Sequence, residues 1–330
     1  MTDTNQNVIL TLCKDKEVWE SFNASSLQGN IFCSPLFLDT LGIDYDLVIC
    51  EKDGLIQAGA VILRKGNCVL NSPYSFSMYQ GILLSGVVNE MPLHSRPAWL
   101  LEVLEIFLDR LSKRYDLLSF CLHYSFDDIR GIQWFHYHQP EQGRFSIELR
   151  YSGLVDLRDP EEWDAYWSST RKIRQREYKK ANKEGFTIES SIDIELLEQL
   201  YVSTFKRQNL TVTPETFKLV RTITSAALTQ GFGELLVCRN RGGEAISALV
   251  YLFDGRNAYN LIAGNSPEYR NSGAGTFTQF EVLRRCREKK LEYLDFCGMN
   301  SPTRGDFKAS FNAKPVAYLV VNYKKGISVE

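Results

Sequence analysis

No apolar run in this chain reaches the ~18 to 20 residues that a membrane-spanning helix needs. The N-terminus has no basic n-region, and its short apolar run is cut off by Lys14 and Asp15. Neither a signal peptide nor a membrane anchor is expected, which points to the cytoplasm. Net charge is also scarce: 38 basic against 40 acidic side chains leave −2, so no overall field draws the chain to DNA or to an anionic membrane. The eight cysteines include no C-x-x-C pair and lie scattered among apolar neighbours. That pattern suits reduced, buried thiols rather than a disulfide framework or a zinc site. His136 and His138 stand two apart in a strand-like run, but no cysteine or carboxylate lies at ligand spacing beside them, so no metal is expected. There is no G-x-S-x-G elbow and no G-x-x-x-x-G-K-[ST] loop, which removes serine-hydrolase and P-loop kinase readings.

What is present is enough apolar material, 44% of 330 residues, for two sizeable cores. The first half reads as a helix over 14–27, strands in DYDLVIC, LIQAGAVILR and NCVLNSPYSF, a helix over 96–115, then strands in DLLSFCLHY, GIQWFHYH and RFSIELRY. The second half reads as helices over 160–185, 194–209 and 214–230, the last capped by Thr213 ahead of Pro214. Strands follow in ELLVCRN, AISALVYLFD and NAYNLIAG, then a glycine-rich turn, a helix over 276–290, and strands in LEYLDFCG and PVAYLVVNY. Each half repeats one order: helix, antiparallel meander, long helix, strand. The expected architecture is two α/β (α+β) domains, 1–155 and 156–330, each a mixed, mostly antiparallel sheet flanked by helices.

The sharpest local signal is Arg270-Asn271-Ser272-Gly273-Ala274-Gly275, set between a strand and a helix that starts near Thr276. Glycines let successive N–H groups converge on an anion, and the helix start adds free donors and the positive end of its dipole. A pyrophosphate fits such a turn. The dinucleotide fingerprint does not apply, because the third glycine of G-x-G-x-x-G is missing and no βαβ unit surrounds it.

R-N-S-G-A-G resembles the R/Q-x-x-G-x-G/A loop of GNAT acetyltransferases, and Y-L-D-F-C-G followed by G-D-F-K-A-S-F resembles the signature of the FemABX-like branch, which carries two GNAT folds. The basic segment 171–185 is similar to that branch's helix before the second fold. The resemblance implies acyl-CoA as co-substrate, held by Arg270 to Thr276, and an oxyanion donor among the backbone N–H groups of Leu261, Ile262 and Ala263. It also implies that Lys308 supplies positive charge to the reaction, with Asp295 and Asn300 as further catalytic candidates. The first half has no equivalent loop, so only the second is expected to hold acyl-CoA.

Seven basic residues stand against the single acid Glu177 between Arg171 and Lys183. At 100° per residue, Lys172, Arg176, Lys179 and Lys183 form one stripe, expected to face solvent, while Arg171 and Arg174 share a sector with Trp163, Trp167 and Tyr178. Arginines on an aromatic face need a carboxylate, a ring or a bound diphosphate. Arg171, Arg174 and Phe307, with Tyr79, Gln80, Trp134 and His136 of the first half, are therefore the candidate acceptor-binding residues. Together with these arginines, the resemblance implies direct N-acylation of a primary amine on a nucleotide-linked (dTDP or UDP) amino sugar for surface-polysaccharide (O-antigen) synthesis. Its rivals are aminoacyl transfer from tRNA to a peptidoglycan precursor and a non-catalytic GNAT-fold binding protein. The oligomeric state stays open, a homodimer included.

Overall fold

The computed structural model describes residues 8–158, 163–206 and 211–326. The chain forms two units, one running to Arg150 and taking back the segment from Ala317 onward, the other spanning Tyr151–Val316. The sequence division at 155/156 missed that return of the C-terminus.

In the first unit β1 (Val8–Leu12), α1 (Lys16–Ser25), α2 (Pro35–Leu38), β2 (Asp44–Lys52), β3 (Leu55–Lys65), β4 (Cys68–Val69) and β5 (Ile82–Leu84) precede α3 (Arg96–Arg114), β6 (Leu117–Cys121) and α4 (Arg130–Gln133). The strands run in the order β1-β2-β3-β4, with β5 also paired to β3. β3 is buried continuously from Ala58 to Leu63 because both of its faces are covered. On one face a Cβ at Gly59 would lie 2.7 Å from the Phe22 ring of α1. On the other, Ala58, Ala60 and Ile62 pack in a core with Leu104, Phe107 and Leu111 of α3.

β7 (Phe145–Asp156) leads into the second unit, which continues with α5 (Trp163–Ser169), α6 (Lys172–Lys183), β8 (Thr187–Ser191), α7 (Ile194–Lys206), α8 (Pro214–Gln230), β9 (Gly233–Arg239), β10 (Ala245–Phe253), β11 (Asn257–Asn265), α9 (Ala274–Glu288), β12 (Tyr293–Asp295) and α10 (Pro302–Ala309). β13 (Lys314–Lys324) returns to the first unit, where its Val320–Lys324 pairs antiparallel with β6. The strands of the second unit are ordered β7-β12-β11-β10-β9-β8. α9 packs its Phe280, Leu283 and Cys286 into a core with Tyr251 and Leu294, and α8 begins on Thr213, whose Oγ1 accepts the Thr216 N–H at 3.2 Å. No helix among the described residues is long and apolar enough to cross a membrane.

Several expected elements change. GIQWFHYH is α4 and turns, not a strand: Ile132 and Phe135 are buried at helical spacing, and Gly131 lets α4 approach the Leu104 side chain, which a Cβ would meet at 2.8 Å. Of NCVLNSPYSF only Cys68–Val69 is strand. The helix expected over 160–185 breaks at Thr170 and Arg171, where Arg171 is extended and Gln175 Nε2 caps the carbonyls of Trp167 and Thr170. Residues 159–162 and 207–210 of the expected helices lie outside the described ones. The segment after Gly298 contains α10, and β1, β5 and β8 were not foreseen.

Candidate active site

β11 and β12 are parallel neighbours that share only three pairs, Asn257↔Tyr293, Ala258↔Leu294 and Tyr259↔Asp295. β12 then ends, while β11 continues to Asn265. Beyond Tyr259 the edge of β11 turned away from β10 has no strand partner among the described residues. A bulge re-aims the same stretch: Val250 pairs with Ile262 and Tyr251 with Asn260, leaving Leu261 as the extra residue. Past the bulge, Ser266 donates to Ile246 O on the β10 side, whereas Asn265 donates away from it, to Thr204 Oγ1 at 2.9 Å. Alternation therefore places the Ala263 N–H on the open edge, and Ala263 is exposed between buried Ile262 and Gly264.

At the end of β11 the chain turns into α9. Ser272 N–H and Oγ bond back to Tyr269 O at 3.0 and 2.7 Å, and Ala274 N–H donates to Ser272 Oγ at 3.2 Å. Gly273 has φ +90° and receives the first intrahelical bond, from Phe277 N–H. The N–H groups of Gly275 and Thr276 find no acceptor among the described residues, the ordinary state of a helix start and a place for an anion. Arg270 and Asn271 are exposed on the rim.

The sequence missed what passes beside this turn. A Cβ on Gly273 would stand 2.5 Å from the Glu177 carbonyl oxygen, so the glycine is required by the approach of α6. From that helix the Glu177 carboxylate accepts from Thr276 Oγ1 at 2.5 Å and from Arg174 at 2.5 Å, while Arg174 also donates to Thr276 Oγ1 at 2.8 Å. An anion of the protein's own thus sits at the positive end of α9. The signal was visible in that Glu177 is the only acid among seven bases.

Arg174 lies 4.8 Å from the centre of the Phe307 ring and 5.8 Å from that of Phe311, both from the α10 region. Burial lowers its pKa below the usual guanidinium value. Arg171 binds Asp306 at 2.5 Å. The helix break separates Arg171 from the aromatic sector assigned to it, leaving its side chain half exposed, yet tertiary packing gathers Arg174, Thr276 and Phe307. Both arginines are held by carboxylates, which removes the need for a diphosphate that their sequence setting suggested. The stripe of Lys172, Arg176, Lys179 and Lys183 is exposed as expected.

Lys308 of α10 points back at the end of β12. Its Nζ donates to Phe296 O at 2.6 Å and to Gly298 O, and burial lowers its pKa below the usual lysine value. Asp295 is buried; its Oδ1 accepts from Ser152 Oγ and from Cys297 N–H, the latter at 2.6 Å. That is a capping arrangement which shapes the loop after β12. Asn300 likewise braces β7, accepting the Tyr151 N–H at 2.8 Å. Burial and the neighbouring Asp295 push the Cys297 thiol well above its ordinary pKa, which removes it as a nucleophile.

The candidates of the first unit divide. Tyr79 and Gln80 are buried at 0 and 1% exposure. The Tyr79 carbonyl accepts from Asn30 Nδ2 and Gln80 Nε2 donates to Phe32 O, so both belong to the packing of that unit. Trp134 and His136 instead line an open cleft against α3.

Residues 168–309 match the family described as an acetyltransferase (GNAT) domain, a range that takes in α6 to α10 and hence the open edge, the turn and Lys308. None of the curated proteins matches the chain. Among solved structures it is similar to FemX, with TM-score 0.70 at 15% identity over 94% of this chain and 96% of that one. It is also similar to L-PGS from Bacillus licheniformis, with TM-score 0.54 at 14% identity over 96% and 93%. A tandem GNAT protein from the clavulanic acid biosynthesis pathway gives TM-score 0.54 at 10% identity over 98% and 100%. These likenesses establish the fold: a mixed α/β chain of the tandem GNAT type, with a GNAT-type acyltransferase fold in the second unit.

Proposed function

We propose that the second unit transfers an acyl group from an acyl-CoA thioester to a primary amine by direct attack. The observation that carries this reading is the parting of β11 and β12. It leaves a backbone N–H, that of Ala263, aimed into a gap whose far end carries the α9 helix start and whose near end carries Lys308. A thioester carbonyl in that gap receives the Ala263 N–H as its oxygen gains charge, and the Lys308 ammonium adds positive charge at the end of β12. The amine attacks the carbonyl carbon, the carbon–sulfur bond breaks, and the thiol departs with a proton. The diphosphate of CoA fits the Gly275 and Thr276 amides once the Glu177 carboxylate swings off Thr276. Arg171 and Arg174, being paired, no longer argue for a nucleotide-linked sugar, so the acceptor is proposed only as a primary amine.

Ala263→Pro tests the chemistry, because it deletes one N–H from the free edge and leaves the β10 ladder intact. Thiol release from acetyl-CoA should fall about 10²- to 10³-fold in kcat with CoA binding retained. An unchanged kcat would remove Ala263 from the mechanism. Glu177→Gln tests the donor: deleting the competing charge should tighten CoA binding several-fold by calorimetry.

A second reading, aminoacyl-tRNA as donor, is favoured by Arg176, Lys179 and Lys183, exposed on α6 with no ion pair among the described residues, and by the Glu177 carboxylate already lying on Thr276 Oγ1 in the first turn of α9. If neither wild type nor Glu177→Gln binds CoA while charged tRNA is retained with a steep salt dependence, this reading replaces the first.

A further inference from the structure

A cleft of about 1270 Å³ in the first unit lies between the exposed edge of α3 and the turns that follow α4. It exceeds the ~300–1,000 Å³ of an ordinary small-molecule pocket, so an extended ligand fits it better than a single ring. Two large aromatic side chains stand open on its wall, Trp134 at 48% and Tyr137 at 58% exposure. Each is braced on one side by a cation: the Arg130 guanidinium is 5.5 Å from the centre of the indole, and that of Arg144 is 5.3 Å from the centre of the phenol ring. Both rings line the cleft, while neither arginine does.

Between them, His136 is held at φ +53°, a costly conformation for this residue, with its ring stacked 3.8 Å from Phe135 and its Nδ1 3.0 Å from Gly143 O. A carbonyl can only accept, so Nδ1 carries the proton of that bond, which leaves Nε2 for another partner. Gln139 Oε1 is taken by Gln142, which leaves its NH₂ to donate. Across the cleft, Glu102 is paired with Lys52 and Asp109 with Lys113, while Glu105 has no ion pair among the described residues.

The charge pattern decides the ligand class. With Glu102 and Asp109 paired to lysines, and Glu105 and Arg110 the lining charges without an ion pair among the described residues, one of each sign, the cleft has no net field that selects a charged ligand and no basic cluster for a phosphate. Flat rings flanked by single acceptors and donors suit a ligand with apolar C–H faces and a rim of hydroxyls. We propose that this cleft binds a neutral oligosaccharide, its pyranose rings stacked on Trp134 and Tyr137 and its hydroxyls bonded to Glu105, His136 and Gln139. The inference stands apart from the acyl-transfer reading, which rests on α9 and β11.

The test is calorimetric titration of the full chain with triacetylchitotriose, cellotriose and maltotriose. Saturable binding of at least one is expected, weakened about tenfold or more by Trp134→Ala and by Tyr137→Ala. Tyr137→Ala serves as the second variant should Trp134→Ala fail to fold. Absence of saturation by all three sugars at about 10 mM, a Kd weak enough to mean no specific site, overturns the proposal. So does binding that survives both substitutions, or binding of uridine monophosphate in their place with the same dependence on Trp134.

Discussion

Glu177 and Lys308 show how one charged side chain changes meaning once its neighbours are known. In the sequence Glu177 interrupts a basic helix; in the structure its carboxylate accepts from the Thr276 hydroxyl in the first turn of α9. Gly273, which read as a gap for a ligand, is fixed by the Glu177 backbone, so any larger residue there disturbs the α6–α9 contact before it disturbs a ligand. Lys308 gives a pH test. Burial lowers its folded-state pKa below the ordinary 10.5, so the unfolded chain binds the proton more tightly. Stability from this group therefore rises with pH between the lowered value and 10.5. In denaturant titrations the stability of wild type relative to Lys308→Met should increase from pH 7 toward about pH 10. A difference that stays flat with pH would contradict it. Acyl transfer by Lys308→Met should fall by about 10²-fold or more.

At the scale of elements, local rules were legible wherever they did not compete with packing. Thr213 before Pro214 was readable as an N-cap, and the hydrogen bond is there. Thr213→Ala should cost about 1 kcal/mol by thermal or chemical denaturation, with no effect on ligand binding. The amphipathic α3 and the apolar β2, β3, β10 and β11 were equally legible, because periodicity and burial agree in them. GIQWFHYH was not: its alternation suggested a strand, but Gly131 and the Ile132–Phe135 spacing served contact with α3 instead. The break at Thr170 and Arg171 was hidden because it depends on hydroxyl and amide groups capping carbonyls within the chain. α10 escaped because Pro302 to Ala309 is too short to display a period.

For the whole molecule, the return of β13 to the first unit has a direct consequence. Val321 and Tyr323 are almost completely buried in the core of that unit, and Val320–Lys324 supplies the partner of β6. Removing residues 317–330 should raise amide exchange in Leu118–Cys121 and the α3 core while protection in β9–β11 persists. Equal loss in both units would show that they unfold together. The amino-acid order alone determined the helices, most strands, the two-part α/β character and the turn at 270–275, since each depends on periodicity, propensity or glycine within a short window. Tertiary structure decided that β12 stops short of β11, that Glu177 meets Thr276, that Asp295 bonds Ser152 and the Cys297 N–H while Asn300 bonds the Tyr151 N–H, and that Trp134 lines a cleft. Those facts depend on which distant surfaces meet, and no local pattern encodes that.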